Sequence, residues 1–189
     1  CHLLYDASHY GFIVRTVEAP FFRRVVVQRR ESAATPSGEL YERLHADLER
    51  RLGPPVQRSS AHTAATRDGK GIVFVAHDGQ VYPAGFLPLE LGSVRDTPLS
   101  VLYRDSAVLR QIRSADFGGR CGRCEWADLC GGSRARAYAT SGDPLAEDPA
   151  CIHQPGTDTP PGSDAAASPG DAGVPGQALL SHSRTADPR

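Results

Sequence analysis

The N-terminal part of the chain alternates short apolar runs with polar breaks. Apolar residues at helical spacing predict that residues 1–9 form the end of a helix. A cluster of apolar positions within residues 12–17 predicts a buried strand, and residues 18–20, Glu-Ala-Pro, end it. Residues 21–28 are apolar and β-branched again. The pattern therefore indicates a helix followed by a strand.

The clearest helical period lies in the next segment. Leucines recur every four residues within residues 39–52, which predicts a packing helix. Ser37 is expected to cap its start, and residues 53–55, Gly-Pro-Pro, stop it. On either side, residues 31–38 read as a polar linker and residues 56–69 as a loop.

A β-hairpin is predicted in the middle of the chain. Residues 71–76 and 80–82 read as strands around the tight-turn pair Asp78-Gly79. Residues 91–94 form a further short extended piece. The aromatic residues of this region are expected to be core residues: Phe74, Tyr82 and Phe86.

Two short helices follow the hairpin. Thr97 is expected to cap the first, with Pro98 in its first turn. The second restarts at Asp105-Ser106 and runs to Arg113, with three apolar side chains directed inward: Val108, Leu109 and Ile112. Residues 134–140 predict one more short helix.

Composition limits the functions that the chain can have. The net charge is −1, from 21 basic and 22 acidic residues, so the chain lacks the basic field that nucleic-acid binding needs. No apolar run reaches membrane-span length, which argues against a membrane protein. Residues 156–189 are rich in Pro, Gly, Ser, Ala and Asp and predict a disordered tail.

Four of the five cysteines form one pattern, Cys-x2-Cys-x5-Cys-x20-Cys, at Cys121, Cys124, Cys130 and Cys151. Two thiolates on one tight turn can hold a single metal centre, and two more complete a four-sulfur cage. Such a cage suits a [4Fe–4S] cluster or a tetrahedral zinc ion.

The spacing favours iron–sulfur but leaves zinc open. Structural zinc sites usually combine two short-spaced cysteine pairs, and this chain has one. Gly131-Gly132 would let the backbone approach a bulky inorganic core without a Cβ in the way. A disulfide would need an oxidising compartment, of which the sequence carries no sign.

Residues 71–155 resemble the SPASM-type auxiliary-cluster domain at the C-terminus of radical SAM enzymes. In that family, an incomplete TIM-like barrel cleaves S-adenosylmethionine, and the following domain holds one or two further clusters. The four patterned cysteines match the ligands of the second auxiliary cluster. Ala84 and Arg134 stand where two ligands of the first cluster would be, and residues 64–70 contain no cysteine.

The resemblance implies a protein with one auxiliary [4Fe–4S] cluster, similar to the haem-biosynthesis-like radical SAM proteins. The implied fold class is an α/β fragment. Its residues 1–30 would be the last helix–strand units of a partial TIM-like barrel, and residues 31–70 a helix and linker. Residues 71–155 would be a small α+β SPASM-type domain made of a β-hairpin and helices, followed by the disordered tail.

Two residues outside the pattern have their own expectations. Glu18 lies at the C-terminal end of the predicted strand, where barrel enzymes bind cofactor and substrate, so it is a candidate for facing S-adenosylmethionine or substrate. The alternative is a surface carboxylate at a turn. Cys1 stands alone and is expected to be a core residue.

The Cys-x3-Cys-x2-Cys motif of the radical-generating cluster is absent from this sequence, as is any methionine. We therefore expect a fragment that is inactive alone. Its expected partners are an N-terminal radical SAM core, which binds S-adenosylmethionine, and an electron donor such as ferredoxin or flavodoxin. Clustered free thiols indicate a reducing cytoplasm.

Three features near the cysteines are expected to have ordinary structural roles. Trp126 is expected to be a core tryptophan that could also shield a cluster from water. The arginines of residues 134–140 are expected to face solvent. His153 could act as a ligand, but four thiolates would already complete the site.

The sequence thus predicts the C-terminal portion of a radical SAM iron–sulfur oxidoreductase. Its auxiliary cluster would serve electron transfer or substrate positioning, and four cysteine ligands favour electron transfer because no iron is left open. The alternative is a zinc-stabilised four-cysteine binding module.

Overall fold

A computed structural model describes residues 1–31, 36, 38–63 and 67–156. Within these ranges the chain forms seven helices and one three-stranded antiparallel sheet, a small α/β structure. The helices are α1 (His2–Ala7), α2 (Phe22–Glu31), α3 (Glu39–Leu52), α4 (Leu99–Asp105), α5 (Ala107–Arg113), α6 (Gly119–Gly122) and α7 (Arg134–Ser141). The strands are β1 (Phe74–Val75), β2 (Gln80–Tyr82) and β3 (Gly92–Ser93).

Helices α1 and α2 share a small apolar core. Its buried members are Tyr5, Phe22, Val26 and Ala61. An ion pair also connects the two helices, with Arg29 Nη2 2.6 Å from Asp6 Oδ1. The Tyr41 hydroxyl donates to Asp6 Oδ2 at 2.8 Å and joins α3 to the same carboxylate. The helix predicted over residues 1–9 is confirmed.

The strand predicted over residues 12–17 does not form. These residues carry no strand, and two of the apolar side chains are largely exposed, with Ile13 and Val17 both at 76%. A strand is stable only when a neighbour takes up its backbone hydrogen bonds. The sheet of the described residues is built from residues 74–93 and does not reach this segment. Apolar composition alone is therefore not sufficient to predict a strand here.

Helix α3 has the predicted bounds, but it buries no residue. Leu40 is 60% exposed, and Leu44 and Leu52 are also exposed. The expected cap Ser37 lies outside the described residues, and the observed N-cap is Gly38. The leucine period thus predicted the helix correctly. The prediction that its apolar face packs against other residues is wrong for the described structure.

The predicted hairpin is confirmed, with β1 shorter than expected. Phe74 pairs with Tyr82 and Val75 with Val81, and β3 then adds to β2. Gly79 makes the turn at φ +93°, a conformation that favours glycine.

The aromatic core expected around the hairpin is wrong. Phe74 is 45% exposed and Phe86 is 65% exposed, whereas Val81 and Leu87 are fully buried. Paired residues on two strands share one face, so Phe74 and Tyr82 lie together on the more open side. Their ring centroids are 6.2 Å apart. On the other face, Val81 is buried while its partner Val75 is 40% exposed, so the core here contains Val81 and Leu87 and not the aromatic rings.

Helices α4 and α5 lead the chain towards the cysteines. The predicted restart of a helix at residues 105–106 is confirmed, and Ser106 caps α5, because the Leu109 N–H donates to Ser106 Oγ at 3.4 Å. The cap expected at Thr97 is wrong: the N-cap of α4 is Pro98, whose extended backbone places it before the first helical residue. Leu109 and Ile112 face inward as predicted and pack with Phe117 in the second core.

Helix α7 matches the prediction for residues 134–140 within one residue, and Ser133 caps it. The disordered tail was predicted from Gly156 onward. Gly156 itself donates its N–H to Glu125 Oε2 at 3.1 Å, and residues 157–189 lie outside the described residues. Across the ranges that the structure describes, no helix is both long and apolar enough to traverse a bilayer.

Candidate metal centre

The structure brings the four patterned cysteines around one small cavity. Cys121, Cys124, Cys130 and Cys151 all line it, together with Arg24, Trp126, Ala127, Gly131, Gly132 and His153. None of the five cysteines of the chain is in a disulfide. The spacing of the pattern therefore corresponds to spatial proximity, including Cys151, which returns from a separate loop.

Short backbone turns place the first three cysteines. The Cys124 N–H donates to the Cys121 carbonyl at 3.3 Å, and the Ala127 N–H donates to the Cys124 carbonyl at 3.0 Å. The Cys130 N–H donates to the Trp126 carbonyl at 2.7 Å. Each bond spans three or four residues, so the thiol-bearing segment curls back on itself around the cavity.

Two glycines follow the third cysteine and approach the cavity closely. Gly131 and Gly132 have φ of +70° and +62°, which side-chain-bearing residues rarely adopt. A Cβ on Gly132 would lie 3.2 Å from Cys121 Sγ and 2.8 Å from Asp148 Cβ. The sequence-based role for this pair, close approach of the backbone, agrees with this geometry.

Backbone N–H groups point at the sulfurs. The Trp126 N–H donates to Cys124 Sγ and the Asp148 N–H donates to Cys121 Sγ, both at 3.4 Å. The Gly132 N–H bonds the Cys130 thiol and favours its ionised form. Donors of this kind stabilise the negative charge of thiolates, and they tune bound clusters.

Burial favours the protonated form of two of the four thiols, Cys124 and Cys130. Burial raises the pKa of Cys130 to about 11, and burial also raises the pKa of Cys124. A thiol must lose its proton to bind a metal, so a bound cation would supply the charge compensation that burial removes.

The residues present fit an iron–sulfur cluster. Four thiols form the donor set, and no three of these described sulfurs come within 4.8 Å of one another. A single zinc ion with bonds of about 2.3 Å would hold its sulfurs roughly 3.8 Å apart, so a larger inorganic core suits the observed spread better.

A second group of potential ligands lies at the edge of the cavity. Side-chain atoms of Cys124, Glu125 and His153 come within 4.8 Å of one another. His153 is buried, and its Nε2 lies 2.9 Å from Glu125 Oε1. This carboxylate also accepts the Gly156 N–H. The histidine is therefore held by a carboxylate at the wall of the cage.

Trp126 is 1% exposed and lines the cage, as expected for a core tryptophan. Its indole Nε1 is buried without a hydrogen-bond partner among the described residues. The ring therefore forms part of the cage wall and carries one N–H donor that no described group accepts. Cys1 packs instead against the α1–α2 core, in agreement with the prediction that it is a core residue.

The expectation that the arginines of α7 face solvent is wrong for Arg134. This side chain is fully buried and lies between the cage and the following loop. The Arg136 side chain is 29% exposed and donates to both carboxylate oxygens of Asp148, from Nε at 2.7 Å and from Nη2 at 2.8 Å. Exposure was expected because arginine is usually exposed. Here backbone carbonyls accept hydrogen bonds from the buried guanidinium and compensate for its burial.

Asp148 is a residue that sequence reasoning missed. Its side chain is fully buried, and it accepts the Ser133 N–H at 2.8 Å and the Ala150 N–H at 3.0 Å. Because its own N–H donates to Cys121 Sγ, Asp148 connects α7 to the cage. The only sequence signal was a carboxylate three residues before Cys151.

Glu18 lies beside the cysteine loop. It is half-buried, accepts a hydrogen bond from the Ser133 hydroxyl, and its backbone carbonyl accepts from Arg136 Nη1 at 3.0 Å. It lines a second cavity of about 240 Å³ with Asp68 and Ala84, among others.

This second cavity adjoins the cage, because Gly132 lines both. Burial raises the pKa of Asp68, and the Glu18 carboxylate raises it further. The cavity therefore holds two neighbouring carboxyl groups, of which Asp68 is the one with a raised pKa. Arg23 and Arg67 contribute positive charge to the same wall.

No protein-family model matches the chain. Curated relatives do match, and three of them share the name "AdoMet-dependent heme synthase". The protein from Nitratidesulfovibrio vulgaris is 46% identical over 101 residues, which is 53% of this chain and 28% of the relative. The protein from Oleidesulfovibrio alaskensis is 36% identical over 139 residues, 71% of this chain and 35% of the relative.

The third of these relatives, from Methanosarcina barkeri, is 41% identical over 97 residues, 51% of this chain and 28% of the relative. The chain thus spans about a third or less of the length of these relatives. At this level of identity, the relatives confirm the resemblance to radical SAM proteins that the cysteine pattern indicates.

Proposed function

From this kinship with radical SAM heme synthases, we propose that the chain is the C-terminal portion of a radical SAM iron–sulfur oxidoreductase and binds one auxiliary [4Fe–4S] cluster. The observation that carries the proposal is the convergence of four cysteine side chains on one cavity. The spread of the sulfurs and the close approach of Gly132 add support.

The proposed role of the cluster is electron transfer. When bound, the cluster would accept or donate one electron. Four thiolates leave no iron free for a substrate atom, which favours this role over direct ligation. Trp126 keeps water from the cage, and N–H donors at Cys121 and Cys124 stabilise negative charge on the sulfurs.

The domain organisation stays a proposal. Residues 1–30 would be the end of a radical SAM partial barrel, although the expected strand is not formed here. Residues 31–70 would be a helix and linker, and residues 71–155 the SPASM-type domain. S-adenosylmethionine and the radical-generating cluster would belong to an N-terminal core, with ferredoxin or flavodoxin as electron donor. Five free thiols suit a reducing cytoplasm.

We assign the cavity beside the cage to the substrate, and Glu18 to the wall of this cavity. Gly132 separates the cavity from the sulfurs, so a group bound there would lie next to the cluster. The names of the relatives lead us to propose a tetrapyrrole as the substrate class. Arg23 could contact an acidic side chain of such a ligand, while Glu18 and Asp68 could exchange a proton with it.

The alternative, a zinc-stabilised binding module, has one observation of its own. Cys124, Glu125 and His153 form a compact trio of possible ligands, closer together than the cysteines are. In that case zinc would bind at the edge of the cage, and it would break the hydrogen bond between His153 and Glu125.

The test is electron paramagnetic resonance on the anaerobically reconstituted chain. The proposal expects a dithionite-reduced [4Fe–4S] signal whose g values stay the same when a soluble tetrapyrrole is added. Changed g values would instead indicate that the tetrapyrrole binds an iron of the cluster. A colourless protein with one zinc ion per chain would favour the alternative.

A further inference from the structure

Arg134 places a buried cation next to a cysteine of the cage. Its side chain is fully buried. Nη1 donates to the carbonyl oxygens of Pro144 at 2.9 Å and Ala146 at 2.7 Å, and Nη2 lies 3.7 Å from Cys121 Sγ, within hydrogen-bond reach of a sulfur acceptor. The guanidinium also stacks on Phe117, 4.3 Å from the ring centroid. The group is thus fixed from several sides.

The hydrogen bonds of this cation do not neutralise its charge. Among the described contacts, its partners are three carbonyl oxygens, one of them Gly132 O, and the sulfur of Cys121; no carboxylate oxygen is among them. The nearby carboxylate of Asp148 is bound by Arg136 and by two backbone N–H groups. The sulfur is therefore the group that can supply negative charge to Arg134 directly.

The glycine beside this contact leaves space for it. A Cβ on Gly132 would lie 2.6 Å from Arg134 Nη2 and 3.2 Å from Cys121 Sγ. Any larger residue would separate the guanidinium from the sulfur. The close approach thus depends on the sequence at two positions, an arginine and a glycine two residues before it.

A buried cation and a hydrogen bond to a ligand sulfur both act on the reduction potential of an iron–sulfur cluster. Reduction adds one negative charge, and a fixed positive charge in a poorly solvated site favours that state. Donors to ligand sulfurs act in the same direction.

We propose that Arg134 is a positioning residue that holds the Cys121 ligand and raises the reduction potential of the cluster. The inference rests on the proposed function, since it needs the cluster to be present. The inference assigns a role to Arg134 itself. A higher reduction potential makes the cluster a better electron acceptor.

The experiment is a redox titration of the reconstituted 189-residue chain with dithionite and mediators. In Arg134→Gln, the equilibrium constant for one-electron reduction should fall about tenfold, which is ~59 mV. The matched control is Arg113→Gln, because Arg113 also donates to two carbonyl oxygens and stacks on an aromatic ring but has no described contact with a cysteine. Its potential should equal that of the wild type.

Two failures are distinguishable. If the wild-type chain holds four irons and Arg134→Gln has the same potential as Arg113→Gln, the inference about Arg134 is overturned and the proposed function stands. If the wild-type chain binds only zinc or no metal, the proposed function fails and this inference fails with it.

A second measurement covers the case in which Arg134→Gln does not retain the cluster. The wild-type chain is labelled with guanidino-15N arginine, reduced, and studied by pulsed electron paramagnetic resonance. A 15N coupling that persists in Arg24→Lys supports the contact, because Arg24 lines the cage and is a second possible source of such a coupling, whereas Arg134 Nη2 lies 3.7 Å from Cys121 Sγ. A wild-type spectrum without such a coupling, or its loss in Arg24→Lys, overturns the inference.

Discussion

At the scale of single residues, the sulfur of Cys121 has an unusual set of neighbours. It accepts from the Asp148 N–H and from the Arg134 guanidinium, and the space between them is kept open by Gly132. Cys124 has one backbone donor, from Trp126. The environments of the four sulfurs are therefore not equivalent, so removal of different cysteines should have different consequences beyond the shared loss of a ligand.

Cys121→Ala should abolish stable cluster binding, because three thiolates leave one iron without a protein ligand. Cys151→Ala should do the same. The matched control is Cys1→Ala, since Cys1 packs against the core of α1 and α2 and does not line the cage. Iron and sulfide analysis after reconstitution checks this, and equal iron content in all three variants would contradict it.

Asp148 provides the pH dependence of the site. Burial alone would raise its pKa, but hydrogen bonds from Arg136 and from the Ser133 and Ala150 N–H groups outweigh burial and lower it below the ordinary value of 3.8. A carboxylate with a lowered folded-state pKa contributes stability above its unfolded pKa and loses that contribution as the pH falls.

Asp148→Asn should lower the free energy of unfolding by about 3 kcal/mol at neutral pH, because it leaves Arg136 without its buried partner. The difference from wild type should begin to shrink below about pH 4, where the carboxylate of the unfolded chain takes up a proton, and shrink further as the pH falls through the lowered pKa of the folded carboxylate. Urea unfolding at matched metal content between pH 6 and pH 3 measures it. Asp128→Asn, at an exposed ion pair, should cost at most about 1 kcal/mol. A difference that stays constant to pH 3 would refute this role of Asp148.

At the scale of elements, the turn between Cys130 and α7 determines how the cage is assembled. Gly131 and Gly132 carry the chain through two left-handed positions, and Ser133 then caps the helix that begins with Arg134. The helix start, the cage wall and the hydrogen bond to Glu18 thus meet within four residues.

Gly132→Ala should reduce both cluster content and stability. The added alanine Cβ would lie 2.6 Å from Arg134 Nη2 and 2.8 Å from Asp148 Cβ. The alanine would also have to adopt the left-handed backbone conformation of Gly132, which is unfavourable for a residue with a side chain. Gly142→Ala is the matched control, because Gly142 also has a positive φ but nothing within 4 Å of the added Cβ.

The control should lose about 1 kcal/mol of stability and keep its iron, whereas Gly132→Ala should lose at least twice as much. Urea unfolding and iron analysis of the two variants decide the point. Equal losses would show that backbone strain alone, and not contact with the cage, governs this turn.

Local sequence signals predicted α3 and the hairpin well, whereas the helix α2, in a stretch whose residues 21–28 are apolar and β-branched, was not predicted. The leucine period gave α3 its bounds, and Asp78-Gly79 gave the hairpin, because both depend on neighbouring residues. Residues 12–17 failed because a strand depends on a partner that local sequence does not reveal. Burial of leucines in α3 failed for a related reason: an apolar face is buried only where something packs on it.

The candidate site was predictable in its cysteines and unpredictable in its charges. Cysteine spacing identified the four thiols that line the cage, since the residue type itself carries the chemistry. The burial of Arg134 and Asp148 could not be read from the sequence, because their partners are backbone groups of distant residues. Tertiary hydrogen bonds of this kind leave no local pattern.

At the scale of the whole molecule, two cavities meet at one glycine. The cage lies on one side of Gly132, and the cavity with Glu18 and Asp68 lies on the other. Ala84, which stands where a cysteine of a first auxiliary cluster would be, lines this second cavity.

The central claim is that the four thiols enclose an iron–sulfur cluster rather than zinc or nothing. The most direct measurement is iron, sulfide and zinc analysis of the chain, purified and reconstituted without oxygen, with equal iron and zinc available. The account predicts about four irons and four sulfides per chain, with broad visible absorption. One zinc ion per chain, or a folded chain with no metal at all, would contradict it.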